Sequence, residues 1–170
     1  EIIRDKGTNH YAFFRGEIDK YSRVDIGSSF LPSDMLAAHL YAQLEQKDHI
    51  QQERKKSWEV YYRNLLPLQE KGIVRLPLLP AYATNNAHIF YLVCKDLKTR
   101  AAFINFMKAN QVQTPFHYVA LHNSPYYIAR HGDRELPMVT VYQDHLVRLP
   151  LFCGLTLQEA EKVCELTLAF

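Results

Sequence analysis

The chain has 170 residues, of which 48% are hydrophobic and 12% aromatic, enough to bury a core and unlike the composition of a disordered segment. The formal net charge is +2 and the basic residues are scattered, so the sequence does not suggest nucleic-acid binding. No apolar run is long enough to cross a bilayer, and the amino terminus resembles neither a signal peptide nor a lipidation site. We therefore expect a soluble, cytoplasmic protein.

The chain opens on a charged segment without an initiating methionine, so we expect a piece of a longer polypeptide. Residues 1–32 are polar and aromatic without sustained periodicity, and an irregular arm of that length is usually functional or bound to a partner. At its end, a loop containing Ser28 and Ser29 runs into a helix. Free hydroxyls before a helix favour phosphate or another anion, although an ordinary helix start capped by Ser33 explains the pattern equally well.

Two helices are predicted between residues 33 and 66. In the first, from Ser33 to about Gln46, apolar residues recur at helical spacing and place Met35, Leu36, His39, Leu40 and Leu44 on one side of the helix. The second, over about 48–66, directs Ile50, Trp58, Tyr61, Tyr62, Leu65 and Leu66 toward a core. Together they predict a helical hairpin or one long bent rod.

The remainder alternates short strands with helices. The patterns predict strands at 73–76, 88–94, 111–114 and 148–152, and helices at about 100–109 (capped by Thr99), 139–147 and 157–168. The last helix follows a capping-box pattern at Thr156. This order predicts an α+β domain over 33–170, with two layers and a small mixed or antiparallel sheet covered by helices on one face.

Reactive groups are scarce. Cys94, Cys153 and Cys164 have neither zinc spacing nor the density of a disulfide scaffold, and we expect reduced core thiols. No histidine pair has HExxH spacing, so a metal site is disfavoured, and no Walker, dinucleotide or nucleophile-elbow motif occurs. A segment rich in aromatic and imidazole groups, residues 115–127, forms a second candidate site, in which we single out His117 for a ligand contact.

Six segments follow one another as they do in the DegT family of pyridoxal-phosphate sugar aminotransferases, which the chain therefore resembles over nearly its whole length. They are Arg4–Asn9, Phe14–Tyr21, Asp25–Ala38, Ala87–Tyr91, Phe116–His122 and Arg148–Phe152. The resemblance implies the C-terminal small domain of a fold-type-I aminotransferase, with residues 1–32 ending the large domain. It also implies that the N-terminal domain and its Schiff-base lysine lie upstream of Glu1. No catalytic residue is then expected in this chain, which alone should be inactive.

The resemblance also implies ligands. Pyridoxal 5'-phosphate is the expected cofactor, L-glutamate the amino donor and a dTDP-4-keto-6-deoxyhexose the acceptor, in a homodimer. Ser28, Ser29 and Phe30 match a segment that reaches toward the neighbouring subunit's cofactor phosphate. His117 and Tyr118 match an element near the sugar.

The arm 1–32 contains a further group of candidate ligand-binding residues. Arg15, Lys20 and Tyr21 can hold the nucleotide diphosphate, a role that suits a guanidinium and an aromatic ring; a solvated arm is the plain alternative. Amination of another, UDP-linked keto-sugar and a non-catalytic α+β dimerisation module remain open as alternative functions.

Overall fold

Seven helices, two strands and one 3₁₀ turn form the secondary structure of the computed structural model, which describes all 170 residues. In chain order they are α1 His10–Phe14, α2 Asp34–Glu45, α3 Lys47–Glu70, β1 Phe90–Val93, α4 Leu97–Ala109, the 3₁₀ turn Leu121–Asn123, α5 Pro125–His131, α6 Pro137–His145, β2 Leu146–Leu149 and α7 Leu157–Ala169. The chain divides into two compact units, Glu1–Lys47 and Asp48–Phe170. The α+β class is confirmed. None of the helices has the length and apolar character needed to span a membrane.

The first unit is built on a chain reversal. Asp5 forms an antiparallel bridge with Ser29, and Thr8 forms another with Arg23. At the crossing, Gly7 has φ +74°, and a Cβ built there would lie 1.9 Å from the carbonyl oxygen of Asp25. A side chain at Gly7 is therefore excluded both by the positive φ and by the close approach of the two chain segments.

The first unit corrects one sequence-based expectation and confirms another. The arm is not wholly irregular, because α1 lies within it; at five residues, α1 is too short to show a helical period. Helix α2 begins after Ser33, whose hydroxyl accepts from the Leu36 N–H at 3.4 Å, as predicted. The apolar side of α2 is uncovered, since no residue of this helix is buried and Leu40 is 55% exposed.

The core of the second unit lies between α3, the sheet and helices α4 and α7. Trp58, Tyr61 and Leu65 of α3 are buried in it, as the helical period predicted. The indole N–H of Trp58 donates to the Ile89 carbonyl at 3.2 Å, and the Tyr61 hydroxyl donates to the Pro150 carbonyl at 2.8 Å. These two bonds tie α3 to the ends of both strands.

The sheet has two antiparallel strands, with Phe90 opposite Leu149 and Tyr91 opposite Arg148. Because neighbouring side chains alternate between faces, Phe90 and Leu149 enter the core while Tyr91 and Arg148 lie on the other face, partly exposed. The second half of the predicted strand 148–152 is therefore wrong, since β2 ends at Leu149.

The strands predicted at 73–76 and 111–114 are reduced to isolated contacts. Arg75 bridges Val93 alone, because the next N–H groups that would face Val93's strand belong to residues 73 and 77: the Ile73 N–H donates to the Leu68 carbonyl at 2.9 Å, and Pro77 has no N–H. After 111–114 the chain meets β2 only at Phe116, which bridges Val147. Each segment thus runs beside an edge of the sheet without extending it as a strand.

The remaining helices are partly as predicted. Asp96, not Thr99, caps α4, since its carboxylate accepts from the Thr99 N–H at 2.7 Å, and this bond lowers the pKa of Asp96. Helix α6 begins at Pro137 rather than 139, and α5 was not predicted. The capping box of α7 at Thr156 and Glu159 is confirmed.

The cysteines are free. Cys94 and Cys164 are buried as expected, and burial raises the pKa of the first to about 11 and of the second to about 12. The expectation fails for Cys153, which is exposed in the loop between β2 and α7.

Candidate functional site

The loop predicted to contact a phosphate is held by backbone hydrogen bonds, while its serine hydroxyls are free. The Ser28 carbonyl accepts from the Lys6 N–H at 3.1 Å, and the Ser28 N–H donates to the Ile3 carbonyl at 3.0 Å. By contrast, neither serine hydroxyl nor the Ser29 N–H bonds to the protein, and Phe30 is 67% exposed. A fixed backbone with free donors fits the contact expected for a cofactor phosphate.

The following helix adds little to that loop. Residues 30–32 separate Ser29 from the Ser33 cap, so the serines do not lie in the first turn of α2. That turn also carries Asp34, whose negative charge offsets the positive end of the helix dipole. Any anion held here depends on the loop's own hydroxyl and N–H groups.

Arg15, predicted to hold a diphosphate, is already paired in the structure. Its guanidinium donates to both carboxylate oxygens of Glu1, at 3.2 and 3.0 Å, and to both of Glu17, at 2.6 and 3.1 Å. These bonds raise the pKa of Arg15 and lower that of Glu17. A diphosphate would have to displace at least one carboxylate.

The other two arm residues are exposed. Tyr21 is 53% exposed and its ring packs at 4.5 Å from His10, within a small aromatic group that also includes Phe13. Lys20 is exposed at the surface of the same arm. The structure therefore does not gather Arg15, Lys20 and Tyr21 into a single pocket, and their shared role stays a prediction.

The second predicted element gathers around an arginine of β2. The rings of His117 and Tyr118 are 4.9 Å apart, and the Arg148 guanidinium lies 5.9 Å from the centre of the Tyr118 ring. Burial lowers the pKa of His117, and the positive charge of Arg148 lowers it further. Nδ1 of His117 and Nε of Arg148 are shielded from solvent and have no hydrogen-bond partner.

Gln143 of α6 holds the same loop in place. Its side-chain oxygen accepts from the Ala120 N–H at 2.8 Å and from the Asn123 amide at 3.3 Å, and its amide donates to Asp144 at 3.1 Å. Gln143 therefore fixes the loop a few residues beyond His117 and Tyr118. The imidazole of His117, the phenol of Tyr118 and the guanidinium of Arg148 can hydrogen-bond the hydroxyls or anionic oxygens of a ligand.

Comparison with known proteins identifies the family. Residues 2–167 match the model of the DegT/DnrJ/EryC1/StrS aminotransferase family. The chain belongs to this family. Its loop at Ser28 and its His117–Tyr118 element are thus parts of a DegT-family fold.

Solved structures share the fold of this DegT-family chain. It superposes on the aminotransferase TlmJ from Streptoalloteichus hindustanus with a TM-score of 0.83 at 21% identity, covering 98% of this chain and 42% of that one. The match to PseC of Helicobacter pylori, an aminotransferase of pseudoaminic acid biosynthesis, has a TM-score of 0.84 at 16% identity, covering 99% and 44%.

A third match, with a TM-score of 0.81 at 17% identity, is the PMP form of the putative sugar aminotransferase Spr1654 from Streptococcus pneumoniae; it covers 96% of this chain and 40% of that one. The chain thus spans about two fifths of the length of these structures.

Sequence reasoning did not single out Arg148 or Gln143. The signal for Arg148 was available, because it is a charged residue inside an apolar strand and opens one of the six family segments. Gln143 gave no signal, since its role depends on contacts with residues 20 or more positions away.

Proposed function

We propose that the chain is the C-terminal part of a pyridoxal-phosphate-dependent sugar-nucleotide aminotransferase. The observation that carries the proposal is the family match over residues 2–167. The six ordered segments support a finer assignment, closest to dTDP-4-amino-4,6-dideoxygalactose transaminase. In this assignment L-glutamate donates the amino group to a dTDP-4-keto-6-deoxyhexose, and the product is dTDP-4-amino-4,6-dideoxygalactose.

The residues of this chain would bind and orient the ligands. The free hydroxyls of Ser28 and Ser29 support a contact to the cofactor phosphate, with Phe30 beside them. The cofactor supplies an electron sink for amino transfer when it is bound. The geometry around His117 and Tyr118 supports a hydrogen-bonding role toward the sugar, while Arg15, Lys20 and Tyr21 are proposed for the nucleotide diphosphate.

The assembly is proposed to be a cytoplasmic homodimer that serves cell-surface polysaccharide synthesis, such as that of enterobacterial common antigen. The loop at Ser28, near the junction of the arm 1–32 with the domain 33–170, would then reach across to the neighbouring subunit's cofactor. The apolar residues exposed on α2, among them Met35 and Leu40, support a partner surface in this unit.

The test uses the longer protein that contains this chain, purified with pyridoxal phosphate. We expect L-glutamate and dTDP-4-keto-6-deoxyglucose to give an amino sugar nucleotide whose mass and stereochemistry are read by mass spectrometry and NMR. Conversion of a UDP-linked keto-sugar alone would replace the dTDP assignment by the UDP alternative. The absence of conversion of any keto-sugar would favour the dimerisation module.

A separate measurement tests the phosphate contact. Ser29→Ala in the longer protein should lower cofactor retention during dialysis, whereas Ser22→Ala, an exposed serine of the same unit, should not. Equal retention by both variants would count against a hydroxyl role for Ser29. In the chain alone, borohydride treatment with pyridoxal phosphate should label no lysine stoichiometrically.

A further inference from the structure

A cavity of about 320 Å³ opens on the sheet face that carries Tyr91. Its polar lining comes from Gln69, Arg75, Tyr91 and Tyr142, and its remaining walls are largely valine and leucine side chains. None of the residues discussed above for the cofactor or the sugar lines it. The cavity is therefore a separate feature of the second unit.

The polar lining consists almost entirely of hydrogen-bond donors. The Arg75 guanidinium lies 5.7 Å from the centre of the Tyr142 ring and pairs with no carboxylate. The phenol groups of Tyr91 and Tyr142 make no hydrogen bond to the protein. Gln69 already uses its oxygen to accept from the Leu76 N–H at 2.8 Å, which leaves its NH₂ group free.

The charge around the cavity is positive. No aspartate or glutamate lines it. Arg148, the register partner of Tyr91, lies on the same face of the sheet, but it does not line the cavity. A phenol is protonated at neutral pH, and burial raises the pKa of Tyr91 further, so this hydroxyl remains a donor.

We propose that this cavity binds the phosphate group of a small phosphorylated molecule through Arg75, Tyr91 and Tyr142. A phosphate brings three strong acceptor oxygens and a charge of about −1.5 to −2 at neutral pH. It therefore matches the Arg75 guanidinium and the neighbouring donors better than a carboxylate, which has two oxygens and one charge. The apolar walls leave room for an organic group attached to the phosphate. The inference does not depend on amino transfer.

Inorganic pyrophosphate is the first probe, added to the chain with ¹³C-labelled tyrosine at constant ionic strength. We expect saturable shifts of the Cζ signals of Tyr91 and Tyr142, while Tyr82, which is 92% exposed and does not line the cavity, should not move. Arg75→Gln should weaken binding roughly tenfold or more, because hydrogen bonds to charged groups are the strong ones. Arg130→Gln removes an exposed arginine elsewhere and should leave the affinity unchanged.

Tyr142→Phe provides a second variant that keeps the ring beneath Arg75 and deletes only the hydroxyl. It should weaken binding less than Arg75→Gln does. The proposal is overturned if pyrophosphate causes no saturable shift, if chloride at equal ionic strength has the same effect, or if Arg75→Gln binds as tightly as the parent chain. Saturation by L-glutamate but not by pyrophosphate would overturn the phosphate assignment.

Discussion

Replacing Gln143 by alanine should loosen the loop that carries His117 and Tyr118. The variant removes the acceptor of the Ala120 N–H, a bond of 2.8 Å, together with a weaker bond at 3.3 Å from Asn123. A single net hydrogen bond contributes about 0.5–1.5 kcal/mol, and leaving the N–H without a partner costs about 1–3 kcal/mol. Since Ala120 is only partly buried, we take roughly 1.4 kcal/mol, which corresponds to about a tenfold change in the opening equilibrium.

Amide hydrogen exchange at Ala120, followed by NMR, measures this opening directly. We expect the Ala120 amide to exchange about ten times faster in Gln143→Ala than in the parent chain. No change is expected in Gln113→Ala, which truncates an exposed glutamine in the segment that leads to the same loop. In the longer aminotransferase proposed above, the looser loop should raise KM more than it lowers kcat. Exchange at Ala120 within twofold of the parent chain would refute the assignment of Gln143 as the residue that positions this loop.

Three further predictions follow from buried and exposed groups. His117 should titrate below the ordinary pKa of histidine, and Arg148→Gln should raise the pKa of His117 because it removes a nearby positive charge. Histidine NMR signals recorded against pH in the parent chain and the variant measure both pKa values. An equal pKa in the two proteins would contradict the electrostatic contact between His117 and Arg148. Iodoacetamide at pH 8 should label Cys153 well before the two buried thiols, whose raised pKa values keep them protonated, as mass spectrometry would show. Tyr61→Phe should lower the free energy of unfolding in urea by about 1–3 kcal/mol, whereas the exposed Tyr82→Phe should leave it unchanged.

The elements predicted well from sequence are those whose determinants are local. Helix α3 shows a sustained 3.6-residue period, and α7 combines such a period with a capping box at Thr156. The run around Phe90 is rich in β-branched and aromatic residues, and β1 forms within it. In each case the signal lies within about one turn or one strand of the element itself.

The predictions that failed depend on distant partners. Residues 73–76 have the composition of a strand, but the Ile73 N–H that a longer ladder would need donates to the Leu68 carbonyl, and Pro77 has no N–H to offer. Periodicity in α2 correctly indicated an apolar side, yet a period says nothing about whether another element covers it. The role of Arg15 stays a prediction, and for this residue the sequence did not reveal that Glu1 and Glu17 occupy its guanidinium.

Trp58 is the only tryptophan in the chain, and it lies wholly within the second unit. Its indole stacks on Tyr62 at 5.1 Å and meets Phe90 edge to face at 5.3 Å. Intrinsic tryptophan emission is therefore a reporter of that unit alone, silent about Glu1–Lys47. Fluorescence and far-ultraviolet circular dichroism recorded on one sample should yield superimposable denaturation curves only if the two units unfold together.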